Sequence, residues 1–108
     1  MQTPAVKPAE ALATLKPSNE PISSETFAKA KELLGLLAAL DAPAPFIFPT
    51  EDGGISFEWR GGSHEADIEV LPDKPILACA RFENGKFVDE RDLKVTKEDL
   101  LAILNWMR

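Results

Sequence analysis

Pro45-Phe46-Ile47-Phe48-Pro49-Thr50-Glu51-Asp52-Gly53-Gly54-Ile55-Ser56-Phe57-Glu58-Trp59-Arg60-Gly61-Gly62 is the stretch on which the reading of this chain turns. It reads as two β-strands and two tight turns. Asp52-Gly53 is a hairpin signal, because a tight turn that follows strand twist needs φ > 0, which Gly and Asp tolerate. A two-residue turn there sets Phe48 opposite Phe57 and Phe46 opposite Trp59. A second two-residue turn at Gly61-Gly62 sets Trp59 opposite His64, Phe57 opposite Ala66 and Ile55 opposite Ile68. Together the turns place Phe46, Phe48, Ile55, Phe57, Trp59, Ala66 and Ile68 on one face. A slip of one residue would send part of that set into water.

The opposite face of the same strands carries Ser56, Glu58, Arg60, Glu65, Asp67 and Glu69. In this register Glu58 faces Glu65 and Ser56 faces Asp67, and like charges directly opposite are mildly destabilising. Two readings stand. One is a solvated outer face on which Arg60 relieves the repulsion. The other is an acidic face that meets something cationic.

The flanks of this stretch supply helices and further strands. Ile22 and Phe27 bracket a helix start at Ser23 in the manner of a hydrophobic staple. Phe27, Ala30, Leu33, Leu34, Leu37 and Leu40 recur at helical spacing until Asp41-Ala42-Pro43. His64 to Leu71 reads as a strand stopped by Pro72-Asp73-Lys74-Pro75. Ile76 to Glu83 follows, with Ile76, Ala78, Ala80 and Phe82 expected on the core face and Cys79 on the outer face. Asn84-Gly85 has the signature of a type I′ turn that sets Phe87 opposite Phe82. Thr96-Lys97-Glu98-Asp99 resembles a capped helix start, followed by a stripe of Leu100, Ile103, Leu104 and Met107. The expected architecture is α+β: an antiparallel meander of about five strands with an N-terminal and a C-terminal helix packed on one face. Pro4, Pro8, Pro17 and Pro21 break up residues 1–21, which read as a flexible arm, with a short helical turn from Glu10 to Lys16, ahead of a single domain at 22–108. The alternative is that Leu12 and Leu15 dock on the first helix or on a neighbouring subunit.

The 108 residues fit one domain, and 44% apolar with 28% charged residues is a globular composition. A net charge of −6 disfavours nucleic-acid binding over a broad surface. The single cysteine, Cys79, excludes an intramolecular disulfide and a cysteine-based zinc cluster. No apolar run approaches a membrane span and no signal-peptide order precedes the domain, so a cytoplasmic location is the default expectation.

Catalytic chemistry finds little to stand on. His64 is the only histidine. On a strand it points away from Glu65 and Asp67, so the three do not make a facial metal site. Asp52-Gly53-Gly54 lacks the Lys-Ser/Thr and following helix of a phosphate loop. No cofactor fingerprint is present, and an enzyme is not expected. The Trp59/His64 end of the sheet is the candidate pocket for a small ligand or cation.

Pro49-Thr50-Glu51-Asp52-Gly53-Gly54-Ile55-Ser56-Phe57-Glu58-Trp59, followed by glycines and Ile68-Glu69-Val70, resembles small uncharacterised prokaryotic proteins. These share a Pro-Thr, Gly-Gly, Glu-Trp hairpin, and some are encoded near toxin–antitoxin or mobile-element loci. The resemblance covers roughly Pro45 to Val70 and implies an interaction role, such as an antitoxin-like or regulatory partner, without catalytic residues. The expectation is therefore a non-catalytic protein-interaction module. Glu58, Arg60, Glu65, Asp67 and Glu69 would face a basic protein partner, with no cofactor. A small-ligand or cation-binding domain using Trp59 and His64 is the alternative.

Overall fold

The computed structural model describes residues 1–108. Its elements run α1 (Pro8–Ala13), α2 (Ser24–Ala39), β1 (Phe46–Pro49), β2 (Ile55–Trp59), β3 (His64–Val70), β4 (Leu77–Glu83), β5 (Lys86–Leu93) and α3 (Lys97–Met107). The five strands form one antiparallel meander in chain order, and the helices cover one of its faces. The α+β architecture expected from the sequence is the one observed, with α1 as an additional short helix.

Local chemistry sets the helix ends. Ser23 Oγ accepts the Thr26 N–H at 3.1 Å and caps α2. Ile22 and Phe27, on either side of the cap, both pack against the core. At the other end Asp41 takes φ 55°. Its N–H reaches Ala38 O at 3.1 Å, and the Ala42 N–H reaches Leu37 O at 3.0 Å. That pair of bonds is a Schellman motif, with aspartate in the left-handed position glycine usually takes. Pro43 then prevents continuation. Thr96 caps α3 by accepting the Asp99 N–H at 3.3 Å.

The core is a cluster of 17 buried residues. Ala30, Leu33 and Leu37 come from α2, and Leu100, Ile103 and Leu104 from α3. The sheet contributes Ile47, Ile55, Phe57, Trp59, Ala66, Ile68, Val70, Leu77, Cys79 and Leu93. Each large apolar side chain removed from water in this way stabilises the fold by about 1.5–3 kcal/mol. The Trp59 indole N–H donates to Pro43 O at 2.8 Å, so burying the ring leaves no unsatisfied donor.

Three expectations about register are corrected. The first hairpin has a three-residue loop, Glu51-Asp52-Gly53, not a two-residue turn. Thr50 N–H donates to Gly54 O at 3.0 Å and Gly53, at φ 86°, closes the loop. This is a type I turn followed by a left-handed glycine. Thr50 explains the choice: its hydroxyl accepts the Gly54 N–H at 2.8 Å, a contact the shorter loop would not offer. Ile47 consequently pairs with Phe57, and Phe46 and Phe48 pair with Glu58 and Ser56 on the outer face.

The second correction keeps the face but changes partners. Trp59 pairs with Ala66 instead of His64, Glu58 with Asp67 and Ser56 with Glu69. The loop is longer because Gly61, at φ 91°, turns early and its N–H is taken by the Glu65 carboxylate at 2.8 Å. The third correction inverts β4. Leu77 and Cys79 are fully buried, while Ala78, Ala80 and Phe82, expected inward, lie on the outer face. Val70 pairs with Leu77 across a wider loop, with Asp73 at φ 59°. Burying Leu77 in place of Ala78 places more apolar area in the core. The Asn84-Gly85 turn is as expected, with φ 51° and 78° and Phe82 paired with Phe87. A bulge beyond Arg81/Phe82 then resets β5, so that Leu93 faces inward.

The packing also runs across the boundary expected at Pro21. Leu12 of α1 is 2% exposed and joins the core, with Ala11 and Leu15 packed around it. Gln2 N–H donates to Arg60 O at 2.8 Å, and Glu20 N–H to Glu51 O at 3.2 Å. Residues 1–21 thus strap the sheet from its β2–β3 turn to its β1–β2 turn. Glycine permits both contacts: a Cβ on Gly53 would lie 2.7 Å from Pro21 O, and one on Gly61 2.7 Å from Gln2.

Candidate functional site

Because all the packed helices lie on one side, the other side of the sheet is bare. Strand alternation decides what it shows. From β2 come Ser56 and Glu58, from β3 Glu65, Asp67 and Glu69, from β4 Ala78, Ala80 and Phe82, and from β5 Glu90 and Asp92. Phe46 and Phe48, stacked with centroids 6.4 Å apart, border it at β1. Phe82 and Phe87, edge to face at 6.0 Å, border it at the β4–β5 hairpin. Phe48 is 46% and Phe87 61% exposed.

Between these borders lies a concavity of about 290 Å³, with Ala78 and Ala80 on its floor and Phe48, Glu58, Asp67, Glu69 and Glu90 around it. The alanines create the hollow, since any larger side chain on β4 would fill it. Arg60 bridges Glu58 at 2.8 Å and Asp67 at 2.5 Å and lies 5.8 Å from the Phe82 ring centre. Its bond to Asp67 holds the guanidinium charged more firmly than usual, against the opposing effect of burial. Arg60 therefore relieves repulsion as expected, but for two carboxylates only. Glu65, Glu69, Glu90 and Asp92 form no ion pair. Partial burial, followed by Asp52, Glu90 and Asp67 nearby, raises the Glu69 carboxyl above its ordinary range.

The five residues expected to face a partner are thus gathered, with Glu65 at the margin through its bond to Gly61. Sequence reasoning missed Phe46, Phe48, Ala78, Ala80, Phe82, Glu90 and Asp92. The first five were assigned inward by registers one residue off. The alternation of Glu90 and Asp92 with inward-facing Leu93 was the signal that could have found the last two.

The Trp59/His64 end is built differently from the expectation. Trp59 is fully buried. His64 pairs with Glu83 in the ladder, and its Nε2 lies 3.1 Å from the Glu83 carboxylate. Its ring packs edge-on against Trp106 of α3, with centroids 4.4 Å apart. Arg81 lies over that indole at 4.4 Å and forms paired bonds to Asp89 at 2.7 and 2.6 Å. Arg81 first, then Arg91, holds the Asp89 carboxyl well below the usual carboxylate range. Neither Trp59 nor His64 lines any of the four main concavities. The side chains here close the end of α3 onto the sheet. Cys79 is in the core, and burial pushes its thiol up to about 12, which removes the thiolate that reactivity needs.

No cluster of His, Cys, Asp and Glu has the arrangement of a metal site, and no helix is long and apolar enough to cross a membrane. No family model, curated protein or solved structure matches the chain.

Proposed function

We propose that this chain is a non-catalytic interaction module whose bare sheet face docks a basic segment of a partner protein. One observation carries the reading. The face is concave and open, holds four carboxylates without a counter-ion, and is bordered on two sides by exposed phenylalanines. Aromatic residues are enriched at protein interfaces and serve as anchors there, and charge complementarity supplies approach rate and choice of partner. A Lys/Arg-bearing segment would neutralise Glu69 and Glu90 while its apolar residues cover Phe48 and Phe87. An antitoxin-like or regulatory role, as the hairpin resemblance implies, is the form of activity such a face would serve. Net charge argues against a phosphate backbone as the occupant.

The test is calorimetric titration of a synthetic Lys/Arg- and Leu-containing peptide at low and high salt. Glu69→Lys with Glu90→Lys spares the Arg60 pairs, so the fold is kept and binding is lost. Unchanged affinity in the double variant, or no salt dependence, would defeat the proposal.

A further inference from the structure

The geometry points to a second docking surface, on the helix side, that takes an amphipathic helix of a partner protein with acidic residues flanking its apolar stripe. Two adjoining concavities of about 300 and 410 Å³ run along α1 and α2 and share Ala9, Leu34 and Ala38. Their walls are almost entirely apolar, with Pro8, Pro43 and Pro45 at one end and Ala13 and Gly35 at the other. The only charged side chains lining either concavity are Lys7 and Lys31, and neither is in an ion pair. In a chain of net charge −6, an apolar groove whose charges are both lysines is complementary to an acidic-flanked occupant.

Gly35 adds an independent observation. It sits inside α2, where glycine is poorer than alanine for stability. A Cβ there would meet nothing within 4 Å, so no contact within this chain requires its absence. What a missing Cβ permits at an exposed helix position is close approach by a backbone from outside. Small neighbours, Ala9, Ala13 and Ala38, keep the same surface low. A helix laid along this groove would sit on small residues with its flanking carboxylates near Lys7 and Lys31, the helix-in-groove mode of recognition. The surface is separate from the acidic sheet face and does not depend on the function proposed for it.

The experiment uses the full ¹⁵N-labelled chain and two synthetic helical peptides with one Ala/Leu stripe, flanked by glutamates in one and lysines in the other. The glutamate peptide should shift the amides of Ala9, Ala13, Gly35 and Ala38. Read at those four amides alone, its affinity should be roughly three- to tenfold tighter than that of the lysine peptide, the factor that two surface ion pairs supply; any binding of the lysine peptide to the sheet face registers on other amides. Gly35→Leu should abolish the shifts, and Gly35→Ala should raise the unfolding midpoint while weakening binding. The inference is overturned if the glutamate peptide's shifts fall elsewhere or the groove amides report equal affinity for the two peptides. It is equally overturned if Gly35→Ala lowers the midpoint, which would give the glycine to the fold. If the same amides shift on dilution of the free protein, the occupant is a second copy, and the inference fails in that way too.

Discussion

Leu12→Ala is the sharpest probe of how this fold is closed. Leu12 is the one fully buried side chain of residues 1–21, and it sits in the common core beside α2 and β1. Truncating a leucine in such a site costs about 2–5 kcal/mol, from lost transfer energy and the cavity left behind. The rest of the segment holds on through half-buried Ala11 and Leu15 and two backbone hydrogen bonds, from Gln2 and Glu20. Against these stands about 1–2 kcal/mol of backbone entropy per ordered residue, so Leu12 contributes the margin that keeps the strap in place. The loss should approach the lower end of the range, because release of the strap caps it. Urea unfolding followed by tryptophan fluorescence measures the loss. Hydrogen exchange at the Gln2 and Glu20 amides should quicken in the same variant. A loss below about 0.5 kcal/mol, the level of an ordinary surface substitution, would refute the docked position of Leu12.

Three further outcomes follow from the registers and the electrostatics. Ile47→Ala should cost about 2–5 kcal/mol and Phe48→Ala no more than about 0.5 kcal/mol by the same assay; the reverse order would mean the first hairpin has the shorter turn. Cys79 should resist alkylation by iodoacetamide at neutral pH until urea unfolds the chain, and labelling of the native protein would place its thiol at the surface. Glu69→Gln should raise stability at neutral pH, because the folded state holds this carboxyl above its ordinary range and so disfavours the charged form. That advantage should shrink as pH falls through the raised value, where wild-type Glu69 takes up its own proton. A destabilised variant at neutral pH would contradict the crowding of carboxylates on the face.

Much of the fold was legible because strong local signals agreed. Ser23 and Thr96 cap the helices as their spacing implies, and Asn84-Gly85 makes its turn without competition. The outward placement of Glu58, Asp67 and Glu69 was legible too, since a shift of two residues between β2 and β3 leaves every side chain on its own face. The failures lie where a loop could close in two ways. Thr50 selects the longer first loop through a side-chain bond that no hydropathy pattern records, and that choice turns Phe46 and Phe48 outward. In β4, Leu77 and Cys79 compete with Ile76, Ala78 and Ala80 for the core, and the period of two cannot say which set wins. The concavity depends on both outcomes, so the carboxylates were found without the hollow they surround. Residues 1–21 have a proline spacing typical of arms, and the choice between a free arm and a docked Leu12 is decided only by tertiary packing.

The central claim is that the bare sheet face is where a basic partner binds. Titrating the ¹⁵N-labelled chain with a synthetic Lys/Arg- and Leu-containing peptide and mapping the amide shifts tests it most directly. Shifts should concentrate at Phe48, Ser56, Glu69, Ala78, Ala80 and Glu90, fading as salt is raised, with the α3 amides still. Shifts confined to the helices, or none at peptide concentrations that saturate ordinary interfaces, would contradict it.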